Sequence, residues 1–206
     1  MGELILAKAK ELFFSYGLKS ISMDDLARQA GISKKTIYQF YADKNELVNK
    51  IVEDLMQCHY KLFKKCQGTA KDAVEEVLLQ SDGPFDTWAS VNQIFFFELQ
   101  KSFPEAWAKL EQHKQKILLP GIVKNLQWGM EESLYREDMD VAFTADVRLQ
   151  QLSIALQPSA FTDRRMNVSQ LMNELTTFYL HGISTEKGKK LLAKYSKNRN
   201  ENRSIN

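Results

Sequence analysis

Five polar side chains on one short predicted helix have the types and the spacing that suit contact with DNA. They are Lys34, Lys35, Thr36, Tyr38 and Gln39. The apolar Ile37 among them predicts an inward face, which leaves the polar side chains pointing outward. Hydroxyls and amides of this kind can bind base edges in a major groove, and lysines can bind phosphates. The alternative is a helical hairpin whose lysines are only a solvated surface.

The neighbouring residues predict a helix-turn-helix unit. Ser22 and Asp25 form a capping-box pattern that begins one short helix, and Gly31 can end it at positive φ without a Cβ penalty. Ser33 is an N-cap candidate for the polar helix. An amphipathic helix over residues 3–16 precedes both. Three such helices, the last two joined by a tight glycine turn, are typical of a DNA-binding domain, which we call the head.

Residues 4–50 resemble the TetR/AcrR family of transcriptional regulators. The family pattern T-x-x-x-I-A-x-x-A-G-V-S is similar to SMDDLARQAGIS at 22–33. The pattern T-L-Y-x-Y-F-x-S-K-E-x-L is similar to TIYQFYADKNEL at 36–47. Lys35 departs from the glycine that the family commonly has at that position, which adds a cation where the backbone usually approaches DNA.

This resemblance implies a regulator that binds double-stranded DNA as a homodimer at a palindromic operator, with two heads in successive major grooves about 34–36 Å apart. It implies that Thr36 and Tyr38 contact DNA and that Ser22 and Ser33 meet phosphates. It also implies that Lys44, at the start of the next helix, binds the DNA backbone, where a helix N-terminus favours an anion. The expected function is a repressor released by a small-molecule effector, not an enzyme.

The rest of the chain predicts helices and no convincing strand. Nine glycines and four prolines are too few for the turns of an all-β fold. We expect an all-α protein of about nine helices, with a three-helix head at 1–46, a helical bundle for ligand binding and dimerisation at 47–186, and a basic, partly disordered tail at 187–206. After the head, the predicted helices cover residues 44–66, 70–81, 85–102, 104–135, 138–157 and 167–183.

Charge is distributed unevenly along the chain. Residues 1–50 carry a net charge of +2, residues 51–186 carry −6 and residues 187–206 carry +6. The acidic middle is not suited to lie along nucleic acid. The basic tail could touch DNA or could simply be a solubilising terminus.

Neither a membrane segment nor a disulfide framework is predicted. The first residues lack the basic and apolar runs of a signal peptide, and no run approaches the roughly 20 apolar residues of a membrane span. Cys58 and Cys66 lie on one predicted helix, where their Cα atoms would be about 12 Å apart, too far for a disulfide. We expect a cytoplasmic protein without a membrane partner.

Aromatic residues in the middle region predict either a ligand cavity or an ordinary core. The candidate pocket residues are Trp88, Phe95, Phe96, Trp107, Trp128 and Phe143. Aromatic stripes at helical spacing are usually core, but the run Phe95 to Phe97 cannot face one side of a helix. The resemblance implies a small effector, and these side chains would suit an apolar or aromatic one.

A wide apolar stripe on the helix at 167–183 predicts a dimer interface. Leu171, Leu175 and Phe178 share one stripe, and Met172 and Tyr179 widen it. Two copies of this helix and of the helix at 138–157 would form a four-helix bundle about a two-fold axis. The alternative is that both faces are buried within one subunit.

No pattern predicts a metal site, a cofactor or a catalytic centre. His59, His113 and His181 are scattered and lack the spacing of metal ligands. There is no Gly-rich phosphate loop and no Ser-His-Asp or paired-carboxylate arrangement. The alternative to a ligand-released repressor is an architectural or protein-interaction module that docks on DNA through the same head.

Overall fold

The computed structural model describes residues 1–82, 84–154 and 167–203, which are almost entirely helical. The α-helices are α1 (Gly2–Tyr16), α2 (Met23–Ala30), α3 (Lys34–Tyr38), α4 (Lys44–Thr69), α5 (Ala73–Asp82), α6 (Pro84–Ala89), α7 (Gln93–Ser102), α8 (Pro104–His113), α9 (Leu119–Glu131), α10 (Val141–Ile154), α11 (Val168–Ile183) and α12 (Glu186–Arg203). The described ranges contain no strand, only an isolated bridge between Tyr135 and Ser184. The all-α prediction is therefore confirmed. No helix in these ranges is both long and apolar enough to cross a membrane.

The helix predicted over residues 85–102 is two helices. α6 ends at Ala89, and Asn92 begins α7 as its N-cap. The side-chain oxygen of Asn92 accepts a 3.0 Å hydrogen bond from the backbone N–H of Ile94. Asparagine is among the most favourable N-cap residues, so this interruption has a local cause that the helical periodicity conceals.

A π-helical segment, Lys114–Leu118, joins α8 to α9. Pro120 and Gly121 are predicted to kink or divide a helix over 104–135, because proline lacks an N–H and clashes with the preceding α-helical turn. In the structure the wider π turn comes just before Pro120, which then lies in the first turn of α9. The chain therefore stays helical from Pro104 to Glu131.

α4 connects the head to the body, the name we use for α5 to α11. Its 26 residues extend over about 39 Å. The carboxylate of Asp43 caps it by accepting a 2.8 Å hydrogen bond from the N–H of Glu46. Leu47 and Val48 are buried in the head, and Phe63 is buried in the body. The predicted domain boundary after residue 46 thus falls within one continuous helix.

Tyr135 organises the core of the body. It is fully buried, and its hydroxyl donates a 2.9 Å hydrogen bond to the carbonyl oxygen of Ala73. Its ring lies against Gly129, where any Cβ atom would collide with it. This contact requires glycine and brings the end of α9 close to the start of α5.

The tail forms a longer helix than predicted. α12 begins at Glu186 and continues to Arg203. Leu192 is buried, and the hydroxyl of Tyr195 donates a 2.5 Å hydrogen bond to the carboxylate of Asp72. Asp72 follows the end of α4 that is remote from the head. Tyr195 is therefore separated from α3 of the same subunit by about the length of α4.

Some predicted features lie outside the described residues. These are residues 155–157 of the helix predicted over 138–157 and residues 204–206 of the tail.

Candidate nucleic-acid interface

Local hydrogen bonds hold the unit formed by α2, the turn and α3. Ser22 accepts a 3.1 Å hydrogen bond from the N–H of Asp25, and the Asp25 carboxylate accepts one of 3.0 Å from the N–H of Ser22. Gly31 ends α2 at φ +66°. Ser33 then begins α3 by accepting a 3.0 Å hydrogen bond from the N–H of Thr36. These capping interactions are the ones that the sequence predicts.

The outer face of α3 presents polar side chains to solvent. Ile37 is fully buried in the head, while Lys35, Tyr38 and Gln39 are exposed. α3 contains five residues, so Gln39 is its C-cap and does not lie within a second turn. The inward and outward assignment of these side chains agrees with the sequence prediction, and their contact with DNA stays a prediction.

Lys34 and Thr36 have partners within the head. The ammonium of Lys34 lies 2.9 Å from the carboxylate of Asp24, and this hydrogen bond raises the pKa of Lys34. The hydroxyls of Thr36 and Ser33 lie 2.8 Å apart. An exposed ion pair contributes little to stability, so a DNA phosphate can replace Asp24 at small cost.

The Ser22 hydroxyl lies beside an anion in this structure. It donates a 2.6 Å hydrogen bond to the carboxylate of Asp25, and hydrogen bonds from Ser22 lower the pKa of that carboxyl. Arg28 forms an ion pair with the same carboxylate. Ser22 thus has a definite role as a helix cap, and the phosphate contact that the resemblance implies stays a prediction.

The ammonium of Lys44 points into the head. It donates hydrogen bonds to the carbonyl oxygens of Leu18 and Ile21, the second at 2.5 Å, and lies 5.2 Å from the centre of the Phe13 ring. Burial lowers the pKa of Lys44, although nearby carboxylates oppose the shift. In this structure Lys44 ties the loop after α1 to α4, and the DNA-backbone contact implied by the resemblance stays a prediction.

A cavity of about 640 Å³ lies in the body. Its walls come from α7, α8, the π segment and α10, together with Trp88 of α6. Three of the six predicted pocket residues line it: Trp88, Phe96 and Trp107. Phe97 lines it as well, although it is not among the six predicted residues.

The other three predicted pocket residues lie elsewhere. Phe95 is fully buried, with its ring edge-on to Phe14 at 5.2 Å between ring centres. Trp128 lines a separate cleft beside Glu76. Phe143 is exposed on α10. Helical spacing shows which side chains share a face, but it does not show which neighbouring helix that face meets.

The predicted dimer residues on α11 divide into two groups. Leu171, Met172 and Tyr179 are buried within the subunit, so they are not free to meet a second copy. The guanidinium of Arg148, itself buried on α10, lies 4.7 Å from the centre of the Tyr179 ring. For these three residues the structure agrees with the alternative prediction, in which the apolar face of this helix is buried within one subunit.

The remaining α11 candidates are turned outward. Phe178 is 74% exposed and Leu175 is half-buried. On α10, Phe143 and Val147 are also exposed, four residues apart on one helical face. We call these four side chains the outer apolar face.

α7 carries contacts with the head that the sequence does not predict. The carboxylate of Glu98 accepts a 2.8 Å hydrogen bond from the N–H of Lys19. The side-chain amide of Asn92 donates a 3.1 Å hydrogen bond to the carbonyl oxygen of Ser15, and its backbone N–H donates one of 2.9 Å to that of Phe14. Because these partners are more than 70 residues apart in the chain, no local pattern could have revealed them.

Comparisons with known proteins agree with this architecture. Residues 5–51 match the family model described as bacterial regulatory proteins, tetR family. The uncharacterized HTH-type transcriptional regulator YvaF of Bacillus subtilis is 28% identical over 115 residues, which are 54% of this chain and 58% of that protein. The matches to two curated relatives cover only 20% and 58% of their lengths.

Two solved structures have the same fold over most of the chain. A TetR-family transcriptional regulator from Agrobacterium tumefaciens superposes with a TM-score of 0.71 at 18% identity, covering 89% of this chain and 97% of that one. FadR from Bacillus subtilis, solved in complex with stearoyl-CoA, superposes with a TM-score of 0.68 at 17% identity, covering 89% and 100%.

The capped α2–α3 unit and its polar outer face have the geometry of a helix-turn-helix of the DNA-binding type. The family match falls on this unit and on the helices that flank it. Residues 5–51 match the tetR family of bacterial regulatory proteins, and the described chain has the fold of a solved TetR-family transcriptional regulator.

Proposed function

We propose that this chain is a repressor that binds a palindromic operator as a homodimer and leaves it when a small molecule occupies the cavity. The observation that carries this proposal is the position of α7 between the cavity and the head. A helix in contact with both sites gives a ligand a physical route to the DNA-binding surface.

α3 supplies the reading surface in this proposal. The proposed DNA-contacting residues are Ser22, Ser33, Lys34, Lys35, Thr36, Tyr38 and Gln39. Tyr38 and Gln39 meet base edges, while Lys35 meets phosphates. Lys34 also binds a phosphate, once that phosphate replaces Asp24 as its partner. Lys44 acts indirectly, because its ammonium holds the loop that leads into α2.

α7 couples the two sites because its residues divide between them. Phe96 and Phe97 line the cavity. Asn92 and Glu98 bind the backbone of the head. Ile94 lies against Gly17, where a Cβ atom would approach its Cγ2 to 2.5 Å. A ligand that displaces the cavity side of α7 must therefore strain or move its contacts with α1 and the following loop.

The cavity supports the effector part of the proposal. Its volume of about 640 Å³ lies within the roughly 300–1,000 Å³ of typical small-molecule sites. Aromatic walls suit an apolar or aromatic compound. FadR, which shares this fold, was solved with stearoyl-CoA, so the architecture can hold a ligand with a long apolar chain.

The outer apolar face supports the dimer. Phe143, Val147, Leu175 and Phe178 lie on α10 and α11, the helices expected to form a four-helix bundle with a second copy. We propose three functional units, which are residues 1–46 for DNA binding, residues 47–186 for ligand binding and dimerisation, and residues 187–206 as the tail, although α4 crosses the first boundary. Two heads held at fixed separation gain affinity that one small head lacks.

The release of DNA is then a shift between two states of the dimer. A ligand can move this equilibrium only by the difference between its affinities for the two states. Coupling free energies of this kind are typically about 1–3 kcal/mol, which corresponds to a change of about 5- to 150-fold in operator affinity.

Operator selection tests the DNA-binding part. Duplexes bound by the full chain are selected from a random library, sequenced, and checked by gel shift. The expected product is a palindrome whose half-sites contact successive major grooves. A selected consensus without two-fold symmetry would contradict binding as a symmetric dimer.

A ligand-response assay tests the coupling through α7. Compounds that raise the melting temperature are added to the protein–operator complex, and operator affinity is measured. A double variant, Asn92→Ala with Glu98→Gln, should bind the same compound but lose most of the release. Glu105→Gln makes the same neutralisation at an exposed site on α8 and serves as the control. An unchanged response in the double variant would show that coupling takes another route.

A further inference from the structure

We propose that the cavity takes an apolar ligand that carries a carboxylate, and that this carboxylate replaces Glu111 as the partner of Lys114. This inference rests on the proposed function, since it names the chemical class of the effector. It depends on the one ion pair in the described cavity wall and on the unequal burial of its two members.

Lys114 is the only cation among the described residues that line the cavity. Its ammonium lies 2.7 Å from the Glu111 carboxylate and 3.3 Å from the Ser153 hydroxyl. It also lies 5.6 Å from the centre of the Trp107 ring. The cation is thus held at the cavity wall, with an aromatic surface on one side and polar groups from α8 and α10 on the others.

The two partners of this ion pair differ in exposure. The Lys114 side chain is 14% exposed, whereas the Glu111 side chain is 38% exposed. A carboxylate with that much contact with water can rotate into solvent at low cost. An ammonium with 14% exposure cannot lose its anion so cheaply, because a desolvated charge without a partner is strongly unfavourable.

This difference in exposure between Lys114 and Glu111 favours a negatively charged ligand. A carboxylate that enters sends Glu111 to solvent and leaves Lys114 paired. A cationic ligand would have to take Glu111 as its own partner, and Lys114 would then remain desolvated without an anion. An uncharged ligand leaves the pair intact and gains no charge-assisted hydrogen bond.

The remaining walls are suited to the apolar part of such a ligand. Trp88, Phe96 and Trp107 contribute aromatic surface, and Leu110 and Leu149 contribute aliphatic surface. Lys114 is also the first residue of the π segment, and Leu118, its last, lines the same cavity. π turns are rare and frequently occur at functional sites, which is a second feature that marks this wall.

Three probes of equal chain length and different charge test the proposal on the full chain. They are decanoate, decanol and decyltrimethylammonium, each used below its micelle concentration, with binding followed by the fluorescence of the cavity tryptophans and by calorimetry. We expect decanoate to bind at least about tenfold more tightly than either of the others, a difference of about 1.4 kcal/mol.

Variants assign the effect to the ion pair. Lys114→Met keeps the apolar stem and should remove the preference for decanoate, and Lys116→Met, an exposed position in the same π segment, should retain it. Glu111→Gln should tighten decanoate binding, because the competing anion is gone. Melting temperatures confirm that each variant is folded.

Four results would overturn the proposal. They are equal or tighter binding of decyltrimethylammonium, a decanoate preference that survives in Lys114→Met, weaker decanoate binding in Glu111→Gln, and no saturable binding of any probe. Binding of the neutral or cationic probe alone would leave the cavity as an effector site for another class of compound. Operator binding without ligand is measured separately, so its failure would count against the repressor function and not against the ligand class.

Discussion

The backbone N–H of Lys19, in the loop between α1 and α2, donates a 2.8 Å hydrogen bond to the carboxylate of Glu98 on α7. The same carboxylate lies beside Gly17, whose backbone at φ +86° and ψ 171° is in a region that essentially only glycine occupies. The head therefore meets the body at a close backbone approach, and a side chain at residue 17 would separate them.

A matched pair of glycine variants measures this approach. Gly31→Ala should cost about 1–2 kcal/mol in the free energy of unfolding, because the backbone of Gly31 has a left-handed conformation. No further cost is expected, since nothing lies within 4 Å of the added Cβ atom. Gly17→Ala should cost about 2–4 kcal/mol, since the new Cβ would lie 2.5 Å from Ile94 and 2.9 Å from Glu98. Denaturant unfolding followed by circular dichroism gives both values. Equal costs would mean that the contact between head and body adjusts freely.

The features that sequence reasoning predicts correctly are local ones. The caps at Ser22, Ser33 and Asp43 depend on partners three residues away, so spacing alone reveals them. The inward position of Lys44 depends on carbonyl oxygens in a loop more than 20 residues earlier. No periodicity carries that information, because these partners are distant in the sequence.

The aromatic run in α7 shows the same limit. Spacing establishes that Phe95, Phe96 and Phe97 cannot share one face, but their neighbours decide the role of each. Phe95 packs on Phe14 of the head, while Phe96 and Phe97 line the cavity. The assignment depends on how α7 lies between two other elements, which is a tertiary property.

Substitutions on α3 should separate DNA binding from stability. Tyr38→Ala should weaken operator binding by about 1–3 kcal/mol without unfolding the head, because its side chain is 44% exposed. Ile37→Ala should instead cost about 2–5 kcal/mol of stability, since Ile37 is fully buried. Gel-shift titration and thermal unfolding of both variants check this. Wild-type operator affinity in Tyr38→Ala would mean that another face of α3 meets DNA.

The salt dependence of DNA binding should distinguish Lys35 from Lys44. Lys35 is exposed, so Lys35→Ala should reduce the slope of log K against log salt concentration by about 0.9, the loss of one phosphate contact. Lys44→Met should leave the slope nearly unchanged but lower stability by about 1–3 kcal/mol, because two part-buried carbonyl groups lose their donor. Titrations at several salt concentrations measure both slopes. An equal loss of slope in Lys44→Met would mean that its ammonium leaves the loop when DNA binds.

Stability should fall as the pH is lowered below neutrality, because of the buried His59. Burial lowers the pKa of His59 to about 3, with a smaller contribution from the neighbouring His113. In the unfolded chain the pKa of histidine is about 6.5. Between about pH 7 and pH 3 the unfolded state binds a proton on His59 that the folded state does not bind. The free energy of unfolding therefore decreases as the pH is lowered from about 7 to about 3, and His59 does not affect it above about pH 7.

The size of this effect can be isolated with one variant. At pH 5 the contribution of His59 is about 2 kcal/mol. His59→Phe keeps an aromatic ring beside Phe63 and Trp88 and should flatten this part of the pH profile, whereas His181→Gln, at an exposed position on α11, should not. Unfolding free energies at pH 5 and pH 7 give the comparison. An identical pH profile in His59→Phe would show that other groups cause the loss.

The outer apolar face should determine the oligomeric state. Phe178 is 74% exposed and Phe143 is 68% exposed, whereas Leu171 is 8% exposed, so a charge at Leu171 would damage the fold before it tested the interface. Phe178→Glu should weaken dimerisation by at least about 100-fold, because each buried phenyl ring contributes about 1.5–3 kcal/mol and a two-fold axis removes two of them. Tyr60→Glu adds the same charge at an exposed site on α4 and is the control. Analytical ultracentrifugation at micromolar concentration measures all three proteins. A monomeric wild type would contradict the dimer itself, and a folded Phe178→Glu protein that dimerises as well as wild type would move the interface to another surface.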